Sequence, residues 1–403
     1  MIKKFVRDLG SRSKLFFLLL CSVSVLILAQ SRMISGQAKS AAHHSARTAT
    51  KEPSSDKVIQ YIRDKFGVPG TTAMILDPFH NSPDPEFLDT IVSVDDGHKT
   101  STSKKSSEVS VSKDGHYLVM GFLAANGPSP SSFVPLGNGG IDDIPRGVQE
   151  AFKLAPSIAV SKGTIRTTQY PNFFLTTITA DNAGKKSTLE AYVTSDHKFL
   201  VLGNIYDLSV DPRTKALHTL ILQNQPETGP KNAPVTIVEF ADLECPTCAH
   251  AHDYLEKTIL PMYKDKVRVV FKEFPLQFHE FAMPAAIADQ CAYRMNPSLY
   301  LPYRTLIFQR QGEFEAIKAN QSSVRDLLLN IGQQAGIDKV QLAGCMDSKA
   351  SLPPIEANMK EAKDLDVNST PTFFINGRTL VGAEPEAFTK LVEEGLQDPK
   401  KKK

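Results

Sequence analysis

The stretch that decides the reading is "NAPVTIVEFADLECPTC", residues 232–248. Val235 to Phe240 are dense in β-branched and aromatic residues, which predicts a buried strand. A Cys-x-x-Cys pair follows directly, and Pro246 suits the first turn of a helix, where a missing N–H costs nothing. Strand, then cysteine at a helix start, has a chemical logic. Unpaired N–H groups and the positive dipole end favour a thiolate on Cys245, and cysteine pKa values fall from about 8.5 to ~3.5–7.5 in such places. Cys248, one turn further in, then reads as the buried resolving thiol, so the pair can exchange electrons through a mixed disulfide. Zinc is the sharpest rival, because Cys245, Cys248, His250 and His252 offer four ligands. Histidines two apart on a helix point about 200° apart, however, and suit one tetrahedral centre poorly. A purely structural disulfide across so tight a ring would stabilise little. The spacing favours a redox couple with no metal, and His250 and His252 as solvated or packed neighbours.

The chain beyond the cysteines keeps to one pattern. "VRVVFKEFPL" (267–276) reads as a second strand, and residues 279–363 as a run of helices. "TPTFFING" (370–377) returns to strand and turn, "RTLVGA" adds a short strand, and "PEAFTKLVEEGL" closes with an amphipathic helix. Strand–helix–strand, a helical block, then strand–strand–helix is an α/β order with a helical insertion. Cys291 and Cys345 both fall inside the helical block. A structural disulfide is their first reading, with a second redox pair or two free thiols as the alternatives. A bond closing so long a loop would contribute ~2–4 kcal/mol.

The compartment follows from the first thirty residues. Lys3, Lys4, Arg7, Arg12 and Lys14 precede a stretch without charge from Leu15 to Ala29, the pattern of an export signal, either cleaved or kept as a membrane anchor. The apolar stretch is short against the about 20 residues of a full span. Either outcome puts the rest of the chain in the periplasm or another extracytoplasmic space. There the four cysteines beyond Cys21 read as two pairs. The formal charge of +2 offers no electrostatic case for nucleic acid as a partner.

Upstream of the cysteines, two stretches recur. "PEFLDTIVSVD" (85–95) matches "PNFFLTTITAD" (171–181), and "VSVSKDGHYLVMGFL" (109–123) matches "AYVTSDHKFLVLGNI" (191–205). A helical pattern precedes each. The chain thus divides into a signal peptide or signal anchor (1–30), a polar tether (31–55), an α+β repeat (56–127), a linker (128–140), a second α+β repeat (141–212), a linker (213–232), the cysteine-bearing domain (233–395) and a basic tail (396–403). Neither repeat carries a cysteine or a titratable cluster, so both read as scaffold or interaction surface.

Residues 231–395 resemble the extracytoplasmic thioredoxin-fold proteins of the DsbA type, on the strength of "NAPVTIVEFADLECPTC", "FKEFPLQFHEFAMPAAIA" and "VNSTPTFFINGR". The resemblance implies a thioredoxin fold with a helical insertion, and thiol–disulfide oxidoreductase activity without a cofactor. It implies that Cys245 and Cys248 form the redox pair. Pro371 matches the family's cis-proline, which with Thr370, Pro246 and Thr247 would meet the client chain. Glu239 matches a buried acid suited to passing a proton to or from Cys248; read from the residues alone it could equally be an edge glutamate, with Lys272 as a counter-ion if buried. The two repeats loosely resemble the N-terminal dimerisation domains of disulfide isomerases, which implies a homodimer through them.

The function expected is an exported enzyme that forms or isomerises disulfides in client proteins, reset by a redox partner. The rival is a non-catalytic chaperone or envelope adaptor that uses the thioredoxin fold only to bind chains.

Overall fold

A computed structural model describes residues 53–95, 105–121 and 132–398. The expected signal or anchor, most of the tether and the lysine run at the C-terminus lie outside the described residues. No helix among the described residues is long and apolar enough to cross a membrane. The chain divides into two compact units, one holding Met74–Val94 and the chain up to Ser209, the other holding Asp56–Ala73 and the chain from Val210 onward.

The first unit is built on two antiparallel-rich sheets. Strands β1 (Ala73–Leu76), β2 (His80–Asn81), β3 (Phe87–Asp95), β4 (Lys105–Ser112) and β5 (Tyr117–Gly121) precede β6 (Phe133–Pro135). Then come β7 (Ala159–Lys162), β8 (Arg166–Thr167), β9 (Phe173–Asn182), β10 (Lys185–Thr194), β11 (Phe199–Val201) and β12 (Gly203–Asp207). One sheet runs β1-β3-β4-β5-β12, with β2 on β3; the other runs β6-β11-β10-β9-β7, with β8 on β9. Strand β10 shows why these residues form strands: Ser187, Leu189 and Ala191 are buried in alternation with the exposed Lys186, Thr188 and Glu190, the period-2 pattern of a half-buried sheet. The helix Ile144–Ala151 lays Ile144 and Val148 onto Ile178, Leu189 and Leu200 of its sheet. Sequence reasoning placed 128–140 as a linker, but Phe133–Pro135 pairs with β11 as an edge strand. Its three residues are too short for a periodic signal.

The second unit is a five-stranded sheet in the order β13-β15-β14-β16-β17, formed by Glu227–Thr228 (β13), Val235–Ala241 (β14), Val267–Glu273 (β15), Thr372–Ile375 (β16) and Arg378–Val381 (β17). β14 runs parallel to β15 and antiparallel to β16. Both faces of the sheet are covered, which explains why β14 is apolar except for Thr236 and Glu239. Ile237, Val269, Phe271 and Phe373 pack with Leu255, Ile259 and Phe388 on one face. Val238, Phe240, Val270 and Phe374 meet Ala216, Ala362 and Leu365 on the other. Between β15 and β16 lies the helical insertion, and its own core, including Phe281, Phe314, Leu328 and Leu342, extends to Cys245 and Cys248. A disulfide joins Cys291 to Cys345, tying helix Ala282–Met295 to helix Lys339–Ser348.

The first helix, Ser55–Phe66, is placed differently from the expected first repeat. The segment Asp56–Ala73 groups with the second unit, where its polar groups are satisfied. Arg378 pairs with Asp64 at 3.0 Å and with Glu394, and donates to the Val68 carbonyl at 3.1 Å. Lys65 meets Asp366 at 3.0 Å. Gly67 holds φ +64°, and a Cβ there would lie 2.2 Å from the Thr379 carbonyl oxygen, so only glycine permits this approach.

Candidate active site

The cysteine pair sits where the central strand meets the insertion. β14 ends at Ala241, and Cys245 caps the helix Pro246–Tyr254 in extended backbone geometry. Its carbonyl accepts from the N–H groups of Cys248 at 3.1 Å and Ala249 at 3.2 Å, which closes the first turn. Cys245 is 8% exposed and Cys248 fully buried, whereas Pro246 and Thr247 face solvent. Both cysteines are free thiols.

The two sulfurs are unlike in charge. The Cys245 pKa is lowered to about 5, first by the hydrogen bond from the Cys248 thiol, against the opposing effect of burial, with help from Thr370 and from the N–H groups of Cys248 and Thr247. Cys248 moves the other way: burial pushes it well above the usual thiol value, and the Cys245 charge adds to the push. The Asp242 N–H points at the Cys248 sulfur at 3.5 Å. One thiol of the pair is therefore ionised at neutral pH and the other protonated, the arrangement an attacking and a resolving sulfur require.

Thr370 and Pro371 face the pair. The Thr370–Pro371 peptide is cis, and the Cys245 thiol lies 3.6 Å from the Thr370 carbonyl oxygen. Thr370 is half-buried and Pro371 buried.

Glu239 lies on the buried face of β14 that looks toward the insertion, and is fully buried. Burial raises its pKa, while the charges of Arg304 and His252 pull it down. Its ion partner is Arg304 at 3.6 Å. Lys272, the counter-ion considered from sequence, is turned to the other face. Register explains this, because Glu239 pairs with Phe271 and Lys272 with Phe240, and alternate residues of a strand point to opposite faces. Lys272 instead meets Glu361 at 3.0 Å and donates to the Ile221 carbonyl at 2.7 Å.

Arg304 is the residue that sequence reasoning missed. It lies in the helix Pro297–Gln309 and also pairs with Glu273 at 2.8 Å and Asp289 at 2.6 Å, all four side chains almost wholly buried. Nothing in "SLYLPYRTLIFQ" marks this arginine, since its partners come from two strands and another helix. Glu273 and Asp289 are both held above the ordinary carboxylate range by burial.

Two further acids were also not singled out. Asp242 accepts from the Glu244 N–H at 2.7 Å, the Leu276 N–H at 2.8 Å and His279 Nδ1 at 2.8 Å. Glu244 accepts from the N–H groups of Phe281 and Ala282, capping the first insertion helix. His250 is exposed; His252 is buried, with its Nε2 2.9 Å from the Thr305 hydroxyl. Among the described residues no group of three His, Cys, Asp or Glu side chains is placed to hold a metal ion. The site predicts that the absorbance of the Cys245 thiolate near 240 nm, followed by acid titration of the reduced protein, has its midpoint near pH 5. A midpoint above pH 8, that of an ordinary thiol, would contradict this geometry.

Comparison with known proteins agrees with the fold. Residues 222–394 match the sequence model of a family described as Thioredoxin. A Na(+)/H(+) antiporter NhaA of Herminiimonas arsenicoxydans is 30% identical over 166 residues, 41% of this chain and 24% of that protein, so the chain spans about a quarter of that relative's length. Disulfide bond formation protein D of Bacillus subtilis is 23% identical over 178 residues, 44% of this chain and 79% of that protein. Among solved structures, the thiol-disulfide exchange protein alpha-DsbA2 of Wolbachia pipientis is 22% identical, with a TM-score of 0.40, over 45% of this chain and 95% of the other. The five-stranded sheet, the Cys-x-x-Cys helix that follows its central strand and the inserted helices make residues 222–394 a thioredoxin-fold domain with a helical insertion.

Proposed function

We propose that this chain is an exported protein thiol–disulfide oxidoreductase that acts on client proteins through a mixed disulfide at Cys245. The observation that carries the reading is the pairing of an ionised, solvent-edge Cys245 with a buried, protonated Cys248, opposite the cis-Pro371 peptide. In the oxidised couple a client thiolate attacks Cys245 Sγ. The Cys245–Cys248 bond breaks and its electron pair leaves on Cys248 Sγ, which takes up a proton because burial disfavours its charge. A second client thiolate attacks the client sulfur of the mixed disulfide and releases Cys245 as a thiolate. The client loses two electrons and the couple gains two. Reduced Cys245 attacking a wrong client disulfide is the first step of isomerisation, by the same chemistry.

The low pKa of Cys245 favours the oxidising direction, since a stabilised thiolate is a good leaving group and stabilises the reduced couple. Thr370, Pro246 and Thr247 border the attacking sulfur and would contact the client backbone, with Pro371 behind them. Glu239 is the proposed proton donor and acceptor for Cys248. Its electrostatic influence on that thiol and its raised pKa support the role. Export rests on the basic start and the Leu15–Ala29 stretch. A separate redox partner would reoxidise the couple.

Cys248→Ala should accumulate covalent complexes with cysteine-containing clients, visible on non-reducing gels, while Cys245→Ser forms none; equal behaviour of the two variants would overturn the reading. Glu239→Gln should retain the Cys245 thiolate but slow disulfide transfer by on the order of 10²-fold near neutral pH. Unchanged transfer rates across the pH profile would remove Glu239 from the mechanism.

A further inference from the structure

We infer that the two halves of the N-terminal unit are copies of one module that exchange a strand with each other inside a single chain, so that this interface takes no second copy of the protein.

The copies share a set of equivalent turn hydrogen bonds. At the turn after β4, Ser112 Oγ donates to Asp114 Oδ1 at 2.5 Å and accepts from the Tyr117 N–H at 2.8 Å. At the turn after β10, Thr194 Oγ1 donates to Asp196 Oδ1 at 2.6 Å and accepts from the Phe199 N–H at 3.1 Å. Asp114 and Asp196 accept in turn from the N–H groups of His116 at 2.9 Å and Lys198 at 3.1 Å. Thr90 donates to the Asp77 carbonyl as Thr176 does to that of Gly163, at 2.7 and 3.2 Å. Such matching of turn chemistry is the mark of a repeated unit.

Each copy would continue past its last hairpin strand into one more strand, and both continuations cross over. β6, which follows β5, leaves the first sheet and pairs with β11 in the second. β12, which follows β11, leaves the second sheet and pairs with β5 in the first. The two registers are equivalent: Val119 faces Ile205 where Val201 faces Phe133. Beyond each crossing, the Leu208 N–H donates to the His116 carbonyl and the Leu136 N–H to that of Lys198, both at 2.7 Å. At the crossing the backbones are so close that a Cβ on Gly203 would lie 2.4 Å from the Met120 carbonyl oxygen.

The residues thus brought together form one aromatic core drawn from both copies. Phe87 and Phe173 lie 6.1 Å apart, Phe87 and Phe133 4.6 Å, Tyr117 and Phe173 5.7 Å. Val119, Val201 and Ile205 complete it, all buried. Neither half could close this core alone, and separating them would expose its aromatic rings to water. A strand exchange tethered within one chain also outcompetes the same exchange between chains, because the tether gives an effective concentration in the mM range. The homodimer through the N-terminal repeats, which the resemblance to isomerase dimerisation domains implies, is thereby satisfied internally, with a single thioredoxin domain for each exchanged pair.

The test is disulfide trapping in the full chain carrying Cys21→Ser, Cys245→Ser and Cys248→Ser. Met120→Cys with Asn204→Cys probes β5–β12, and Pro135→Cys with Phe199→Cys probes β6–β11; each pair is directly opposed in register. All four positions are partly or fully exposed, so folding should survive. After mild oxidation both pairs should close within one chain, running on non-reducing gels at the mobility of the 44.3 kDa monomer with loss of titratable thiols. A covalent species of twice that mass in either variant would show exchange between chains and overturn the inference. Failure of both pairs to oxidise would show that the strands are not exchanged at all, and would equally overturn it.

Discussion

The arrangement under the cysteines depends on one buried cation shared by three buried carboxylates. Arg304 meets Glu239, Glu273 and Asp289, contributed by β14, β15 and the first insertion helix. With every group ionised the cluster would carry two uncompensated negative charges away from water, a cost of several kcal/mol for each. Protons must therefore stay in the cluster, and the raised pKa of all three acids, driven first by burial, is the consequence. The same cluster joins the insertion to the sheet.

The asymmetry of the cysteine couple comes first from burial and from the effect of each sulfur on the other. Cys245, at the solvent edge and on a helix N-terminus, is ionised with help from the Cys248 thiol and Thr370. Cys248 is buried in the apolar core of the insertion, where burial and the neighbouring Cys245 sulfur hold its proton on. Asp242 and Glu244 hold the intervening loop from the other side, tying it to Leu276, His279 and the start of the insertion. The loop is thus fixed at both ends.

Much of this was legible in the sequence because the signals were local. The β-branched run of β14, the Cys-x-x-Cys after it and the Thr-Pro far downstream each carry their meaning within a few residues. Glu239 stood out as a charge in an apolar strand. Arg304 did not, because its partners converge from three elements that only the fold brings together. Lys272 misled for the same reason: one position of register sends it to the opposite face, toward Glu361. Upstream, the internal similarity was visible in the matched stretches, but the crossing of β6 and β12 was not, since strand exchange leaves no periodic trace and Phe133–Pro135 is only three residues long. The docking of Asp56–Ala73 on β17 likewise rests on Arg378, far along the chain.

The central claim is that the fold stabilises a Cys245 thiolate and so favours the reduced couple. A group whose pKa falls on folding contributes stability that is present above its unfolded value and is lost as pH drops through the folded one. For Cys245 that window runs from the ordinary thiol range down to about 5. The most direct measurement is the unfolding midpoint of the dithiol and disulfide forms, side by side, between pH 4 and pH 8. The account predicts that the dithiol form is the more stable at neutral pH and that its advantage shrinks through pH 5. A disulfide form that is the more stable at every pH would contradict it.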